Sequence, residues 1–380
     1  MANTDYKAVR TAWISAANDL NTNWVANVKA AWDAVGVGRI AITSLPTASS
    51  ITYGQTLSSS TLSGGSTLSH GASVSGSFSW SSPGTAPNAG TSSQSIKFQA
   101  TDSTYYSTVT TNINITVNKG NLTLATNPTA SPITFGQALS NSTISGGSVT
   151  FNGSNVPGSF AWSVPSNRPN AGSTNPSIVF TPANSANLSS LSTNIALTVN
   201  KATPVITWTN PSAISYGTAL SSTQLKPSSS VPGSFVYDPT NGTILNAGTN
   251  TLTAVFTASN PANYLSPLTN TVSLVVNKAT PTIFSNPTAS PISFGQALSD
   301  STLSGGQARL GSNSVAGSFA WSIPSNRPNT GTSNYPVIFT PSDSANLNTR
   351  TTNISLTVSK ATVTLATNPT ASPITFGQAL

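Results

Sequence analysis

The chain has 380 residues, with 26 prolines, 27 glycines, no cysteine and only 6% charged residues, where about a quarter is usual. The missing cysteine excludes disulfides, a thiolate nucleophile and a sulfur-ligated metal. The net charge of +7 reflects scarce acids, since the lysines and arginines are scattered singly, and that distribution argues against a nucleic-acid surface.

Residues 4 to 35 are Ala-rich, free of Gly and Pro, and hold three of the seven tryptophans, so the segment is expected to be helical. Apolar or small residues recur at Tyr6, Val9, Trp13, Ala17, Leu20, Trp24, Val28, Ala31 and Val35. The spacing of three, four and four is an eleven-residue repeat over three turns. A single helix is favoured, capped by Asn3 or Thr4 and closed by Gly36. Asn21-Thr22-Asn23 is a weak helix former, and a helical hairpin turning there is the alternative. Either form shows more aromatic surface than one helix hides. Tyr6, Val9, Trp13, Ala17, Leu20, Trp24, Val28 and Trp32 are therefore the expected assembly or anchoring face, covered by copies of the chain, by the first module or by another protein. A homo-oligomer is expected, a trimer among its forms. Met1 to Lys7 lead into polar-interrupted sequence rather than an apolar run with a cleavage site, which points to synthesis in the cytosol.

After residue 38 one phrase returns: an aromatic-Gly pair, Gly-Ser-Phe-x-Trp or Tyr, Asn-x-Gly, and Val-x-Lys. Gly54, Gly136, Gly217, Gly295 and Gly377 fall 82, 81, 78 and 82 residues apart, and Lys119, Lys201, Lys278 and Lys360 fall 82, 77 and 82 apart. The period is domain-sized. It predicts a helical segment over 1–38, modules over 39–119, 120–201, 202–278 and 279–360, and the start of a fifth over 361–380. Thr364 to Leu380 repeats Thr123 to Leu139 letter for letter, and a first strand or two does not bury a core, so a longer array is expected.

Each module's last strand alternates, as in Ile113, Ile115, Val117 and Ile354, Leu356, Val358, with mostly polar residues between. Short alternating strands between Gly, Pro, Asn and Ser turns predict a mainly β protein of tandem antiparallel β-sandwiches after a short helical segment. The joints, such as Lys201-Ala202-Thr203-Pro204, have almost no spacer, and stiff joints are expected to make a rod. No stretch approaches the roughly 18 apolar residues that span a bilayer.

The repeats resemble the immunoglobulin-like modules of bacterial and phage extracellular proteins, nearest the MBG type with its Tyr-Gly-x signature. The resemblance covers residues 40 to 380, through Ile51-Thr52-Tyr53-Gly54-Gln55, Gly158-Ser159-Phe160-Ala161-Trp162, Asn170-Ala171-Gly172 and Val179-Phe180-Thr181-Pro182. It implies spacers, adhesion stalks or virion decorations. The third module departs from it, with Leu225-Lys226-Pro227 for the Gly-Gly pair and Tyr237 at the tryptophan position.

No catalytic, metal or cofactor site is expected. Glu is absent, the seven Asp residues are dispersed, and His70 is the only histidine, in a Ser/Gly loop. Ser63-Gly64-Gly65 lacks the Lys of a phosphate loop and reads as a turn. Trp80, Trp162, Tyr237 and Trp321 lie two residues from a Phe on one strand face, so they read as core before sugar platforms. Arg168 and Arg327, each in Ser-Asn-Arg-Pro-Asn, are expected to bond loop carbonyls. These readings lead to a non-enzymatic phage fibre, of the tail or head, located on the virion. Its helix would contact other virion proteins, and its distal end a host glycan or protein, with no nucleic acid and no membrane insertion. The alternatives are a bacterial cell-surface adhesin or stalk and, more weakly, a carbohydrate-binding protein.

Overall fold

In the computed structural model, which describes residues 3 to 379, the N-terminal segment is a helical hairpin and not the single helix favoured above. Helix α1 spans Asn3–Leu20 and α2 spans Trp24–Ala34. Asn21 turns the chain by taking up local donors. Its Oδ1 accepts the Asn23 N–H and its carbonyl the Trp24 N–H, both at 2.9 Å, the usual way asparagine competes with a helix. At the far end Gly36, with φ +84°, and Val37 donate their N–H groups to the carbonyls of Asp33 and Trp32, both at 3.0 Å. This is a Schellman stop that only glycine adopts cheaply, so Gly36 closes the segment as expected. The cap expected at Asn3 or Thr4 lies outside the described side chains.

The chain divides into two compact units, Met1–Ala202 and Thr203–Leu380. In the first, the hairpin leads into two β-sandwiches. One sheet of the first sandwich contains Ala41–Ala48, Leu62–Ser69 and Ala72–Ser73. Its other sheet has the order Ile51–Thr52, Val109–Asn118, Gly90–Ala100, Gly76–Trp80. Pairing is antiparallel except for Ile51–Thr52, which runs parallel to Val117 and Asn118. The second sandwich repeats this plan, and Ile133 pairs parallel with Val199. Within the second unit, a smaller sandwich and one of full size follow each other, with the same parallel pairs at Ile214/Val276 and Ile292/Val358. The chain is thus mainly β, a tandem series of immunoglobulin-like sandwiches. From residue 361 to 379 it forms no strand and its side chains are exposed.

Each sandwich has its own core. The alternating residues of the last strand, for example Ile195, Leu197 and Val199, are all buried beside a tryptophan. The indole N–H groups of Trp80, Trp162 and Trp321 donate to the carbonyls of Ser60, Ser142 and Ser301 at 3.2, 3.1 and 3.2 Å. A buried indole needs such a partner, and these rings are core, as the i+2 spacing predicts. Beside them, Phe78/Phe98, Phe160/Phe180, Phe235/Phe256 and Phe319/Phe339 all meet with ring centroids 5.0 Å apart. The Gly of Gly-Ser-Phe is explained by this pair, because a Cβ at Gly76 would collide with the Phe98 ring.

Two details differ from expectation. Gly64 and Gly65 do not form a turn: both lie inside strand Leu62–Ser69 with φ of +75° and +86°. A Cβ on Gly65 would stand 2.7 Å from the Phe78 ring, so the glycine admits the aromatic edge. In the third sandwich, where Tyr237 replaces tryptophan, Trp208 enters from the segment just after strand Ile206–Thr207. Its ring meets Tyr237 at 6.4 Å and its N–H donates to Gln224 at 3.2 Å. The indole and its backbone bond are kept while the residue carrying them changes.

Candidate functional site: module joints and the helical face

Within the first unit, Lys119 and Gly120 leave the first sandwich and immediately meet a one-turn loop of the second. That loop, Asn184 to Leu188, closes with the Leu188 N–H on the Asn184 carbonyl at 3.0 Å, which leaves its other carbonyls facing outward. The Lys119 ammonium donates to the Ser185 carbonyl at 2.5 Å, and the Gly120 N–H to the Asn187 carbonyl at 2.9 Å. The buried Asn187 side chain completes the joint. Its Oδ1 accepts the Ala89 N–H at 2.8 Å, and its Nδ2 donates to Asn88 Oδ1 at 3.3 Å and to Asn184 Oδ1 at 3.2 Å. Both ends of the amide are satisfied, the condition for burying it cheaply. Beside it Tyr53 stacks on Phe151 at 5.7 Å.

The second unit builds the same joint from other residues. Lys278 donates to the Ser344 carbonyl at 2.7 Å, and the Ala279 N–H to the Asn346 carbonyl at 3.0 Å. Asn346 Oδ1 accepts the Ala247 N–H at 2.7 Å, and its Nδ2 donates to Asn246 Oδ1 at 3.3 Å and Asp343 Oδ2 at 2.9 Å. Leu310 stands where Phe151 stood. A cleft of about 500 Å³ opens there between Tyr216, Leu310 and Asp343. The Asn-x-Gly and Val-x-Lys phrases are therefore joint residues. Asn187 and Asn346 were missed by sequence reasoning, although their recurrence in Asn-Ser-Ala-Asn-Leu and Asp-Ser-Ala-Asn-Leu was visible.

The hairpin distributes the expected anchoring face unevenly. Ala17 is buried, with Ile14, inside the hairpin; Val28 and Trp32 are half-buried. Tyr6, Val9, Trp13, Leu20 and Trp24 are exposed, to 61% for Trp13 and 75% for Leu20. Trp13 and Trp32 meet edge to face at 6.5 Å and line a shallow apolar groove with Val28, Ala31 and Val35. The centre of the hairpin is instead Arg10, fully buried, paired with Asp33 Oδ1 at 2.6 Å and donating to the Val37 carbonyl. Its guanidinium lies over the Tyr105 ring at 5.3 Å, on the first sandwich, and Lys29 donates to the Ser103 carbonyl at 2.5 Å. An arginine among alanines in a periodic apolar segment was the overlooked signal.

The remaining singled-out residues are structural. The guanidinium groups of Arg168 and Arg327 donate to the carbonyls of Gly136 and Gly295. His70, in a left-handed turn with φ +50°, meets Ser69 Oγ at 3.3 Å. Among the described residues no three His, Cys, Asp or Glu side chains gather as a metal site, and no helix is long and apolar enough to cross a membrane.

No protein-family model matches the chain, and no curated protein matches it. Solved structures with a similar course include Drosophila N-cadherin EC1-4, at 8% identity and a TM-score of 0.24, covering 72% of this chain and 84% of that one. Sidekick-1 immunoglobulin domains 1-5 are 11% identical with a TM-score of 0.23, covering 86% and 78%. An endo-fucoidan hydrolase of glycoside hydrolase family 107 is 14% identical with a TM-score of 0.20, covering 76% and 45%. At these values none assigns an activity or a partner to this chain.

Proposed function

We propose that the chain is a non-enzymatic structural protein whose MBG-like sandwiches form the shaft of a phage fibre, of tail or head, and whose hairpin assembles or anchors it. The observation that carries this reading is the division of aromatic residues. Trp80, Trp162 and Trp321 are sealed in cores, while Trp13, Trp24, Leu20, Val9 and Tyr6 stand exposed on one small helical element. An apolar surface of that kind is costly in water and marks an interaction site. The occupant proposed is a second and third copy of the chain, with other virion proteins on the same face. The sandwich joint within each unit supports a shaft role, since both are held by a fully bonded buried asparagine and a lysine. The alternative is a bacterial cell-surface stalk or adhesin built on the same plan, in either case facing the outside of a cell and meeting a host surface at the far end.

Sedimentation of the full chain tests the hairpin. The unaltered protein is expected to associate, and Trp13→Ala with Trp24→Ala to be monomeric; a wild-type chain that stays monomeric at high concentration and recovers no virion protein overturns the anchor. Antibody labelling separates the two settings. Label on purified particles supports the fibre, and label confined to cells supports the stalk.

A further inference from the structure

Each sandwich carries the same one-turn loop, and in the first, second and fourth it lies at the pole facing the element that precedes it in the same unit. The Tyr106, Leu188, Tyr264 and Leu347 N–H groups bond back to Asp102, Asn184, Asn260 and Asp343 at 3.1, 3.0, 3.2 and 3.1 Å. The loops of the second, fourth and first sandwiches receive a lysine on the carbonyl of their second residue: Lys119 on Ser185, Lys278 on Ser344, and Lys29 on Ser103. The first two lysines close a sandwich. The third belongs to α2. Aligned on the first strand of each module, the position of Lys119 and Lys278 is held by Val37, and that of Gly120 by Gly38. The hairpin thus supplies from a helix the ammonium that a preceding sandwich supplies from its last strand.

The fourth residue of the loop differs in parallel. It is Asn187 or Asn346 where a sandwich precedes, and the amide reaches the Asn-Ala turn of that sandwich. It is Tyr105 where the hairpin precedes, and its buried ring carries the Arg10 guanidinium. Arg10 bonds through one nitrogen, to Asp33 and Val37, and its Nε and Nη2 have no hydrogen-bond partner, so the aromatic face adds to Asp33 in offsetting the delocalised charge. An asparagine would offer no ring to that cation. A tyrosine would present no amide to an Asn-Ala turn.

We infer that the one-turn loop is a common docking seat, and that its fourth residue sets the occupant: asparagine for a preceding sandwich, Tyr105 for the helical hairpin. The hairpin then fills, on the first sandwich, the seat that a preceding sandwich fills on the second and fourth. This rests on the joints and does not depend on what covers the outer helical face.

Two full-chain point variants and a third protein, a chimera made with and without Tyr105→Asn, test it. In Lys29→Met and in Tyr105→Asn, amide exchange in α2 is expected to quicken by about tenfold, the scale of one charged hydrogen bond or cation–π contact, while strand Gly90–Ala100 keeps its protection. Lys29 lies outside the sandwich, so its variant stays informative if Tyr105→Asn disturbs the core. In the third, a copy of residues 120–201 replaces residues 1–37. Trypsin should cut after the lysine of the new junction about tenfold more slowly when Tyr105→Asn is present than when Tyr105 is kept. Unchanged α2 exchange in both point variants, or equal cutting in both chimeras, overturns the seat.

Discussion

The side-chain oxygen of Asn187 accepts the backbone N–H of Ala89 at 2.8 Å across 98 residues of sequence, and Asn346 does the same for Ala247 at 2.7 Å across 99. One amide thereby reads the surface of the neighbouring sandwich, and the lysine beside it fixes the loop that carries it. The unit of architecture is the sandwich together with the joint. Asn187→Ala leaves the half-buried Ala89 N–H to water and is expected to cost about 1 kcal/mol, the low end for such a loss. Amide exchange should show Ala89 quickening several-fold while Ala247 is unchanged, and Asn346→Ala should show the converse, because the two joints share no residue. Equal effects at both amides would contradict two independent joints.

The tryptophans divide into two classes with opposite expected phenotypes. Trp162→Ala removes a buried ring and a backbone bond, so it should destabilise its own sandwich by about 3–5 kcal/mol, seen as lost exchange protection in Ser177–Pro182. Trp13, 61% exposed, should cost the fold no more than about 0.5 kcal/mol and change only association. A Trp13→Ala protein that unfolds would place the ring in a core.

The difference between those classes marks what the sequence made legible. Period-two alternation at Ile113, Ile115 and Val117, and the Phe-x-Trp spacing, report burial directly, because a strand side chain has only two faces. The hairpin was less legible. Its eleven-residue repeat runs through Asn21 without interruption, and the turn depends on asparagine bonding its own neighbours. Gly64-Gly65 misled for a related reason: positive φ is a turn habit, but here it serves an aromatic edge arriving from Phe78, a contact made at a distance in sequence. Arg10 and Tyr105 could be paired only by seeing the hairpin seated on the first sandwich. Trp208 shows that a repeat can move a core indole to another segment of the chain and keep its backbone bond.

Alkaline pH should loosen the hairpin. Burial raises the Tyr105 phenol above its ordinary value near 10, helped by Tyr106, with the Arg10 charge pulling the other way. A folded state that holds this proton more tightly than the unfolded chain is favoured fully below pH 10. The contribution is lost as pH climbs from about 10 through the raised value. The chain's α-helices lie in the hairpin, so helical ellipticity should fall in that window, and Tyr105→Phe, which keeps a ring under Arg10, should flatten the fall. An identical titration in the phenylalanine variant would assign the loosening to another group.

The same sixteen residues, Thr123 to Ala138 and Thr364 to Ala379, occur here in two conformations. Thr123 to Ala138 forms strands Thr123–Ala130 and Ile133–Thr134, since Ile144–Phe151 and Leu197–Asn200 lie alongside to take their backbone bonds. Thr364 to Ala379 repeats that sequence with no such neighbours, forms no strand, and leaves Leu365, Ile374 and Phe376 exposed. Local propensity is identical in the two copies, so the strand is a property of its partners. A copy of residues 140–201 fused after Leu380 should therefore convert the tail into the edge of a fifth sandwich, with burial of each large apolar side chain returning about 1.5–3 kcal/mol. Exchange protection over residues 364–379 is the readout, with the same fusion carrying Trp→Ala at the grafted copy of Trp162 as the control that should stay open. A tail that remains unprotected in the intact fusion would show that strand formation in the second sandwich depends on more than those partners.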